Sequence, residues 1–368
     1  MVMAFIGVKT FKAIGSLFLF ILATLAVWKE IKLSQKMCEE SSANYLLLAN
    51  GNRANAAGDT LLPRRPVRNS PVRKIHRSLN KSYINNDHLE RNYERIEHAN
   101  VTLFVSSPPS SGIVNLLELF YALPIIRDSV VVPLVDNKIL STGDYSAIEQ
   151  YVHKAIEDAQ PPALVHTHAY HVNVSASLRN KSLLMISVVR DPIQRAVSMY
   201  NYARVNSTRR DSEQIRKWRE TLNINKRETY DDCVKLKRSE CVSEGATTRL
   251  IRHFCGYDRR CRKKTRWTLE RAKHNIETNY FVIGTREDME IFIQVLERRL
   301  PSIFKEGSRV YNNLLDIGKV TRGDRYTKVM PSDDTIEKMK RMMALDIELY
   351  EWIIARFEDA QRNVGLKI

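Results

Sequence analysis

The segment Val188 to Arg204 reads VVRDPIQRAVSMYNYAR, and its residue types and spacing suit an oxyanion. An apolar run ends in Arg190, Asp191-Pro192 opens a helix, and Ser198 follows one to two turns later. A guanidinium presents a planar fork of donors that matches phosphate oxygens, and a nearby hydroxyl adds another donor. The plainer alternative is an arginine held by Asp191 in a structural turn. A second element, VHTHAYHV, puts His166, His168 and His171 at the end of a strand, with His166 and His168 on one face. A near-neutral imidazole can take the proton of an attacking hydroxyl, although these histidines also suit metal ligation or ordinary surface and core positions. The third element is VSSPPSSGIVN, Val105 to Asn115, where a strand gives way to a helix. Ser106, Ser107, Ser110, Ser111 and the Gly112 N–H are donors at a helix N-terminus, where anions bind.

These residues need a sheet to hold them. Val101–Ser106 (VTLFVS) reads as a buried strand and precedes an apolar helix over Ile113–Ala122. Strands are also predicted over Ser129–Val135, Ala163–His168 and Tyr280–Gly284. The continuous apolar run Leu183–Val189 predicts a central strand covered on both faces. Helical periodicity covers Tyr145–Ala159, Pro192–Ala203, Trp267–Thr278 and Glu287–Leu300, and predicts one long amphipathic helix over Asp334–Arg362. Strands alternating with helices indicate an α/β fold built on a parallel sheet.

Bulk properties narrow the setting. The 368 residues carry a formal net charge of +16, which draws a polyanion such as nucleic acid, an anionic membrane or an acidic glycan. Ala13 to Val27 (AIGSLFLFILATLAV) is uncharged and slightly short of the ~20 residues that span a bilayer. Lys9, Lys12 and Lys29 extend it by snorkelling, and Trp28 suits the interface. The reading is a tail over 1–12, a signal anchor over 13–28, a polar stem over 29–98 and a single domain over 99–368, with a cleaved signal peptide as the alternative. Five N-x-Ser/Thr sequons, at Asn80, Asn100, Asn173, Asn180 and Asn206, favour a lumenal domain. The close pairs Cys233/Cys241 and Cys255/Cys261 suit disulfides in an oxidising compartment, and their spacing does not suit zinc. A lumenal chain meets no nucleic acid, which leaves glycan and membrane as partners.

The pattern R-D-P-x-x-R-x-x-S over Arg190 to Ser198 resembles the 3′-phosphate-binding element of sulfotransferases that use PAPS, the activated sulfate donor. The segment HFCGYDRRCRKKTRWTLERAKHNIETNYFVIG (His253 to Gly284), both cysteine spacings, and LERRLPSIF after it resemble the uronyl and heparan-sulfate 2-O-sulfotransferases. The likeness runs from about Asn100 to Arg356. It implies a sulfotransferase fold, a P-loop-like parallel sheet flanked by helices, in a Golgi membrane protein of type II. The implied reaction moves sulfate from PAPS to the 2-hydroxyl of a uronic acid in a glycosaminoglycan, without a metal. His168 matches the family's base, and Arg190 and Ser198 match its 3′-phosphate contacts. Ser110, Ser111 and Gly112 fall in its phosphosulfate loop, and GKVTRGDRYTKVMP (Gly318 to Pro331) resembles the segment that covers the nucleotide, with Thr321, Arg325 and Lys328 as contacts.

Acceptor contacts are expected at His166, Arg209 and Arg210, and along Arg259–Arg266. Self-association into a homo-oligomer is compatible with this reading. One departure stands out: Pro109 occupies the place of the family's loop lysine, and no lysine lies between Lys81 and Lys138. Two functions follow, a transferase or a protein of the same fold that binds glycan or a partner enzyme without transferring sulfate.

Overall fold

Strand side chains alternate between two apolar clusters, and that alternation builds the sheet. In β1 (Val101–Ser106), Val101, Leu103 and Val105 enter one cluster while Phe104 enters the other. In β4 (Ser182–Val189), Leu184, Ile186 and Val188 join the first cluster, and Met185 and Val189 the second. With β2 (Val130–Leu134), β3 (Ala163–Thr167) and β5 (Tyr280–Thr285), they form a five-stranded parallel sheet in the order β2-β3-β1-β4-β5. This is the α/β fold that the alternation of strands and helices predicts. The computed structural model describes residues 101–123, 130–134, 144–174, 182–204, 227–322 and 330–367.

In chain order the longer helices are α1 (Ile113–Ala122), α2 (Tyr145–Asp158), α3 (Pro192–Arg204), α4 (Arg249–Cys255) and α5 (Arg266–Asn279). They continue as α6 (Met289–Arg299), α7 (Gly307–Asp316), α8 (Asp333–Met342) and α9 (Ala344–Asn363). Leu116 and Phe120 of α1, Phe292 and Leu296 of α6, and Tyr311 of α7 cover one face of the sheet. Ile148 and Val152 of α2, Phe254 of α4, Leu269 of α5 and Ile353 of α9 cover the other. A third cluster joins Ile193 and Val197 of α3 to Cys233 and Cys241 and to Met339 of α8.

The order of the strands creates the site. From β1 the chain goes to the sheet edge at β2, returns through β3, and then crosses β1 to reach β4. The connection from β1 runs toward the β2 edge and that from its neighbour β4 toward the β5 edge, and such a reversal opens a crevice at the C-terminal strand ends where α/β proteins bind ligands.

The long C-terminal helix expected from periodicity is two helices. It breaks at Met343, whose backbone lies at φ −106°, ψ 17°. The bend lets Met339 and Met343 pack beside Ile193 and Val197 while Leu349 and Ile353 pack on the sheet. Lys264 donates to the Met342 carbonyl at the break. Both expected cysteine pairs are disulfides, Cys233–Cys241 and Cys255–Cys261. The predicted third strand ends at Thr167, so His168 lies just beyond it. The anchor and stem, together with Asn80, Asn100, Asn180 and Asn206, lie outside the described residues; Asn173 is exposed. Among the described residues no helix is long and apolar enough to cross a membrane.

One buried carboxylate ties α9 to the helices around the crevice. Asp346 accepts from the Leu250 N–H at 2.9 Å and the Ile251 N–H at 3.0 Å, the open donors at the start of α4. Burial pushes its pKa up to about 6, against the pull of those amides and of the Arg195 charge from α3. Arg195 is itself fully buried, and burial lowers its pKa to about 10. Removing one member of such a set strands the other charge. Asp346→Ala is expected to lower stability by about 3–5 kcal/mol, and Asp346→Asn, which keeps an acceptor oxygen, by less. Urea unfolding of the two variants beside the wild type checks this; equal midpoints in all three would refute it.

Candidate active site

Ser107, the first residue past β1, bonds to both neighbouring strands. Its N–H donates to the Thr167 carbonyl of β3 at 3.3 Å, and its hydroxyl accepts from the Val188 N–H of β4 at 2.9 Å. That hydroxyl also meets the Ser187 hydroxyl at 3.3 Å. The Ser106 hydroxyl is likewise committed inward, donating to the Ala169 carbonyl at 2.9 Å. Neither serine is therefore the open anion donor expected from the loop sequence. Both are the mortar of its base.

The Ser107 carbonyl orients a histidine. His168 Nδ1 lies 2.8 Å from that oxygen, and a carbonyl only accepts, so the proton sits on Nδ1. Nε2 then carries the lone pair. The side chain is exposed at the strand end, with protein atoms close by. Desolvation by those atoms lowers its pKa below the ordinary imidazole value, partly offset by the Ser107 carbonyl. A neutral imidazole of fixed tautomer is a proton acceptor. His166, two residues earlier and within β3, is half-buried; burial and the nearby His168 lower its pKa to about 4.

His171 and His253 are not exposed ligands but core residues. The His171 ring lies tilted against Tyr280 with centroids 5.9 Å apart, and the His171 backbone N–H donates to the His253 carbonyl at 2.7 Å. Among the described residues no cluster of side chains has the makings of a metal site.

Beyond Ser107 the loop turns sharply. Ser110 and Gly112 both adopt positive φ, 65° and 94°, and Gly112 forms the N-cap of α1. The Ser110 hydroxyl reaches Met199 Sδ of α3 at 3.5 Å, so the loop lies against the helix that carries Ser198. Ser111 is fully buried, and its hydroxyl has no hydrogen-bond partner. The Arg286 side chain packs directly against Gly112. A Cβ built there would stand 2.8 Å from Nη1 of Arg286 and 3.1 Å from its Cγ and Cδ.

Arg190 follows β4 and is buried. Asp191 caps α3 through Oδ1, which accepts from the Gln194 N–H at 2.8 Å, with Pro192 at the first helical position. Ser198 lies on the buried side of α3. Thr321 is drawn in by Asn115 of α1, which donates to its carbonyl at 2.8 Å and to the Tyr311 hydroxyl at 3.1 Å.

His168, Arg190 and the loop over Ser110–Gly112 follow the C-terminal ends of β3, β4 and β1, Ser198 is on the helix that the loop touches, and Thr321 is held against α1. Arg209, Arg210, Arg325 and Lys328 lie outside the described residues. Along Arg259–Arg266 the basic side chains are exposed, and two of them have acidic partners. Arg260 pairs with Asp258 at 2.7 Å, and Arg266 pairs with Glu348. Sequence reasoning missed Asn115 and Arg286. A polar residue inside an apolar helix was the available signal for Asn115. Arg286 carried none, because its place depends on how β5 aligns with β4.

A family model described as "Sulfotransferase family" matches residues 138–352, more than half the chain. Chicken heparan sulfate 2-O-sulfotransferase 1 is 31% identical over 201 residues, covering 54% of this chain and 53% of that protein. Mouse uronyl 2-sulfotransferase is 29% identical over 219 residues, covering 58% and 52%. The chain spans about half the length of the curated relatives it matches. Among solved structures, retinol dehydratase in complex with androsterone and the inactive cofactor PAP aligns at TM-score 0.33 and 12% identity, over 75% of this chain and 84% of that one. A mouse sulfotransferase complexed with PAP aligns at TM-score 0.31 and 17% identity, over 73% and 88%.

The buried His253 gives the fold a distinct pH signature. Its Nε2 stands 3.3 Å from the Ser106 hydroxyl, whose own proton goes to Ala169, so Nε2 is the protonated nitrogen. Burial lowers its pKa to about 3, whereas an unfolded imidazole titrates near 6.5. The unfolded chain therefore binds the extra proton first as pH falls. Stability from neutral His253 is complete above about pH 6.5 and is lost on acidification, by up to ~1.4 kcal/mol per pH unit. His253→Gln cannot titrate. Its stability deficit relative to wild type, measured by urea unfolding, is expected to be largest near pH 7.5 and to shrink toward pH 4.5. A deficit that is constant or grows with acid would contradict the assignment.

Proposed function

The chain belongs to the sulfotransferase family, and on that premise we propose that it transfers sulfate from PAPS to the 2-hydroxyl of a uronic acid in a glycosaminoglycan. The observation that carries the proposal is the 2.8 Å contact between His168 Nδ1 and the Ser107 carbonyl. It fixes a neutral base with its lone pair on Nε2, beside a loop that touches the Ser198 helix. The relatives at about 30% identity are 2-O-sulfotransferases of heparan sulfate and uronyl groups, which supports the choice of acceptor.

The residues present fit such a donor. Arg190 and Ser198 would hold the 3′-phosphate by charge-assisted bonds, and the Ser110–Gly112 turn at the start of α1 would face the phosphosulfate end. The enclosed Ser111 hydroxyl, without an acceptor of its own, is a donor available to that end. Thr321 and Lys328 would cover the nucleotide. Bound PAPS supplies a sulfuryl group whose bond to the phosphate oxygen breaks as the sugar oxygen bonds to sulfur. His168 Nε2 takes the hydroxyl proton, and its lowered pKa favours the unprotonated form that this needs. His166, Arg209 and Arg210, with the exposed basic run Arg259–Arg266, would meet the polyanionic acceptor. The +16 charge, sequons and N-terminal apolar segment support a Golgi membrane setting with the domain in the lumen.

One observation favours a second reading. Pro109 brings no N–H and no charge to the loop, as expected of a glycan-binding protein that has lost transfer. Nucleotide binding separates the two. Calorimetry on the full chain is expected to show PAP binding that Arg190→Ala weakens roughly tenfold or more. No binding by folded protein would favour the second reading.

In the transfer assay His168→Ala is expected to lower kcat by about 10²–10⁴, and His168→Ala should still bind PAP. Because the base works only when neutral and its pKa is lowered, the acid limb of kcat/KM is expected to have its midpoint below pH 6.5. A midpoint clearly above that value, or a pH profile unchanged in His168→Ala, would remove His168 from this role.

A further inference from the structure

We propose that Arg286 supplies the cation that the loop itself lacks, binding the 5′-phosphosulfate end of the donor. This deepens the transferase reading above and rests on it. Its starting point is placement by register. Thr285 of β5 pairs with Val189 of β4, so Arg286 and Arg190 are the next residues past two paired strand ends. The Arg286 N–H donates to the Val189 carbonyl at 2.8 Å, which pins its backbone at the crest. Arg190 and Arg286 thus stand side by side at the crevice.

The side chain then lies across Gly112. A Cβ at Gly112 would sit 2.8 Å from Nη1, closer than a real Cβ approaches any heavy atom. The φ of 94° favours glycine at this position, and the Arg286 side chain occupies the space that a side chain at 112 would take. Gly112 is the N-cap of α1, where the open amides of the first turn carry partial positive charge. A guanidinium there adds a full charge and a fork of donors to the same point. The buried Ser111 hydroxyl, without a partner, is next to it in the chain. The Arg286 charge also extends to Tyr311, which Asn115 bonds to α1.

The chemistry calls for a cation here. As the acceptor oxygen bonds to sulfur, the bond from sulfur to the bridging oxygen breaks and its electron pair stays on that oxygen. The oxygen becomes part of the 5′-phosphate of PAP, and the hydroxyl proton passes to His168 Nε2. Charge grows on the phosphate, and Arg286 donates to it while remaining protonated throughout. Pro109 leaves that task undone within the loop. Two arginines then divide the nucleotide between them, Arg190 at the 3′-phosphate and Arg286 at the 5′-phosphate.

Calorimetry on the full chain with PAP, adenosine 3′-monophosphate and adenosine 5′-monophosphate tests the division. Arg286→Gln is expected to weaken PAP and the 5′-monophosphate roughly tenfold or more and to spare the 3′-monophosphate; Arg190→Ala is expected to do the reverse. Arg286→Lys keeps the charge and should retain most of the 5′-phosphate affinity, even if Arg286→Gln folds poorly. Adding Pro109→Lys to Arg286→Gln should restore part of the lost affinity. If Arg286→Gln and Arg286→Lys both bind the 5′-monophosphate as wild type does, while Arg190→Ala loses the 3′-monophosphate, Arg286 has no such role and the nucleotide site stands. If folded wild type binds none of the three, the transferase reading fails and this one with it.

Discussion

Ser107 is the joint on which the crevice depends. One residue meets β3 through its N–H, β4 through its hydroxyl, and His168 through its carbonyl. Each bond closes a group that burial would otherwise leave costly, about 1–3 kcal/mol apiece if unmet. The three cannot be satisfied separately. If β1 shifted against β4, the hydroxyl would lose Val188, and the carbonyl that sets the His168 tautomer would move with it. Sheet register and the orientation of the His168 ring are therefore one constraint. This explains why a serine, and not a larger polar residue, stands at a fully buried turn between two strands.

Charge around that joint is arranged in two layers. Below, Arg195 and Asp346 are wholly buried, and Asp346 caps α4 from α9. Above, Arg190 and Arg286 follow neighbouring strand ends, with Asp191 bonded into the cap of α3. The Asp191 N–H donates to Glu287 at 3.2 Å, and Glu287 also accepts from the Tyr350 hydroxyl at 2.9 Å. Asp191 and Glu287 thus take bonds from amides and a phenol beside the two arginines, and the Arg190 charge favours the ionised form of Asp191. A buried ionic layer contributes little net stability. Here it fixes α3, and with it the distance between the strand end and Ser198.

Much of this was legible because strands and helices bury different periodicities. The run LLMISVV marks a strand covered on both faces, and its alternate residues enter opposite clusters. The cysteine pairs were legible because six- and eight-residue separations close easily, and both are bridged. The C-terminal helix was misread for a physical reason. Its apolar stripe is continuous through Met343, so periodicity sees no stop, yet two packing surfaces at different angles bend it there. The loop serines were half misread: their composition announces donors, but only tertiary contacts show which donors are already used. Of the candidate site residues, Arg190, Ser198 and His168 were proposed from short motifs. Asn115 and Arg286 were not, since nothing local distinguishes a charged residue that follows an edge strand from any other surface arginine.

That blind spot bears on how a loop can lose its lysine and the fold still present a cation. The crest of a parallel sheet offers several equivalent positions, one after each strand. Whatever follows β5 stands beside whatever follows β4, because the ladder aligns them. A charge can thus move from the loop after β1 to the end of β5 without moving in space by more than a strand or two. The condition is that nothing blocks its path over the loop, and Gly112 meets that condition by having no side chain. On the proposal for Arg286, the residue that permits such an exchange is in the loop motif and the residue that would perform it is 174 positions further on, where the motif alone cannot reveal it.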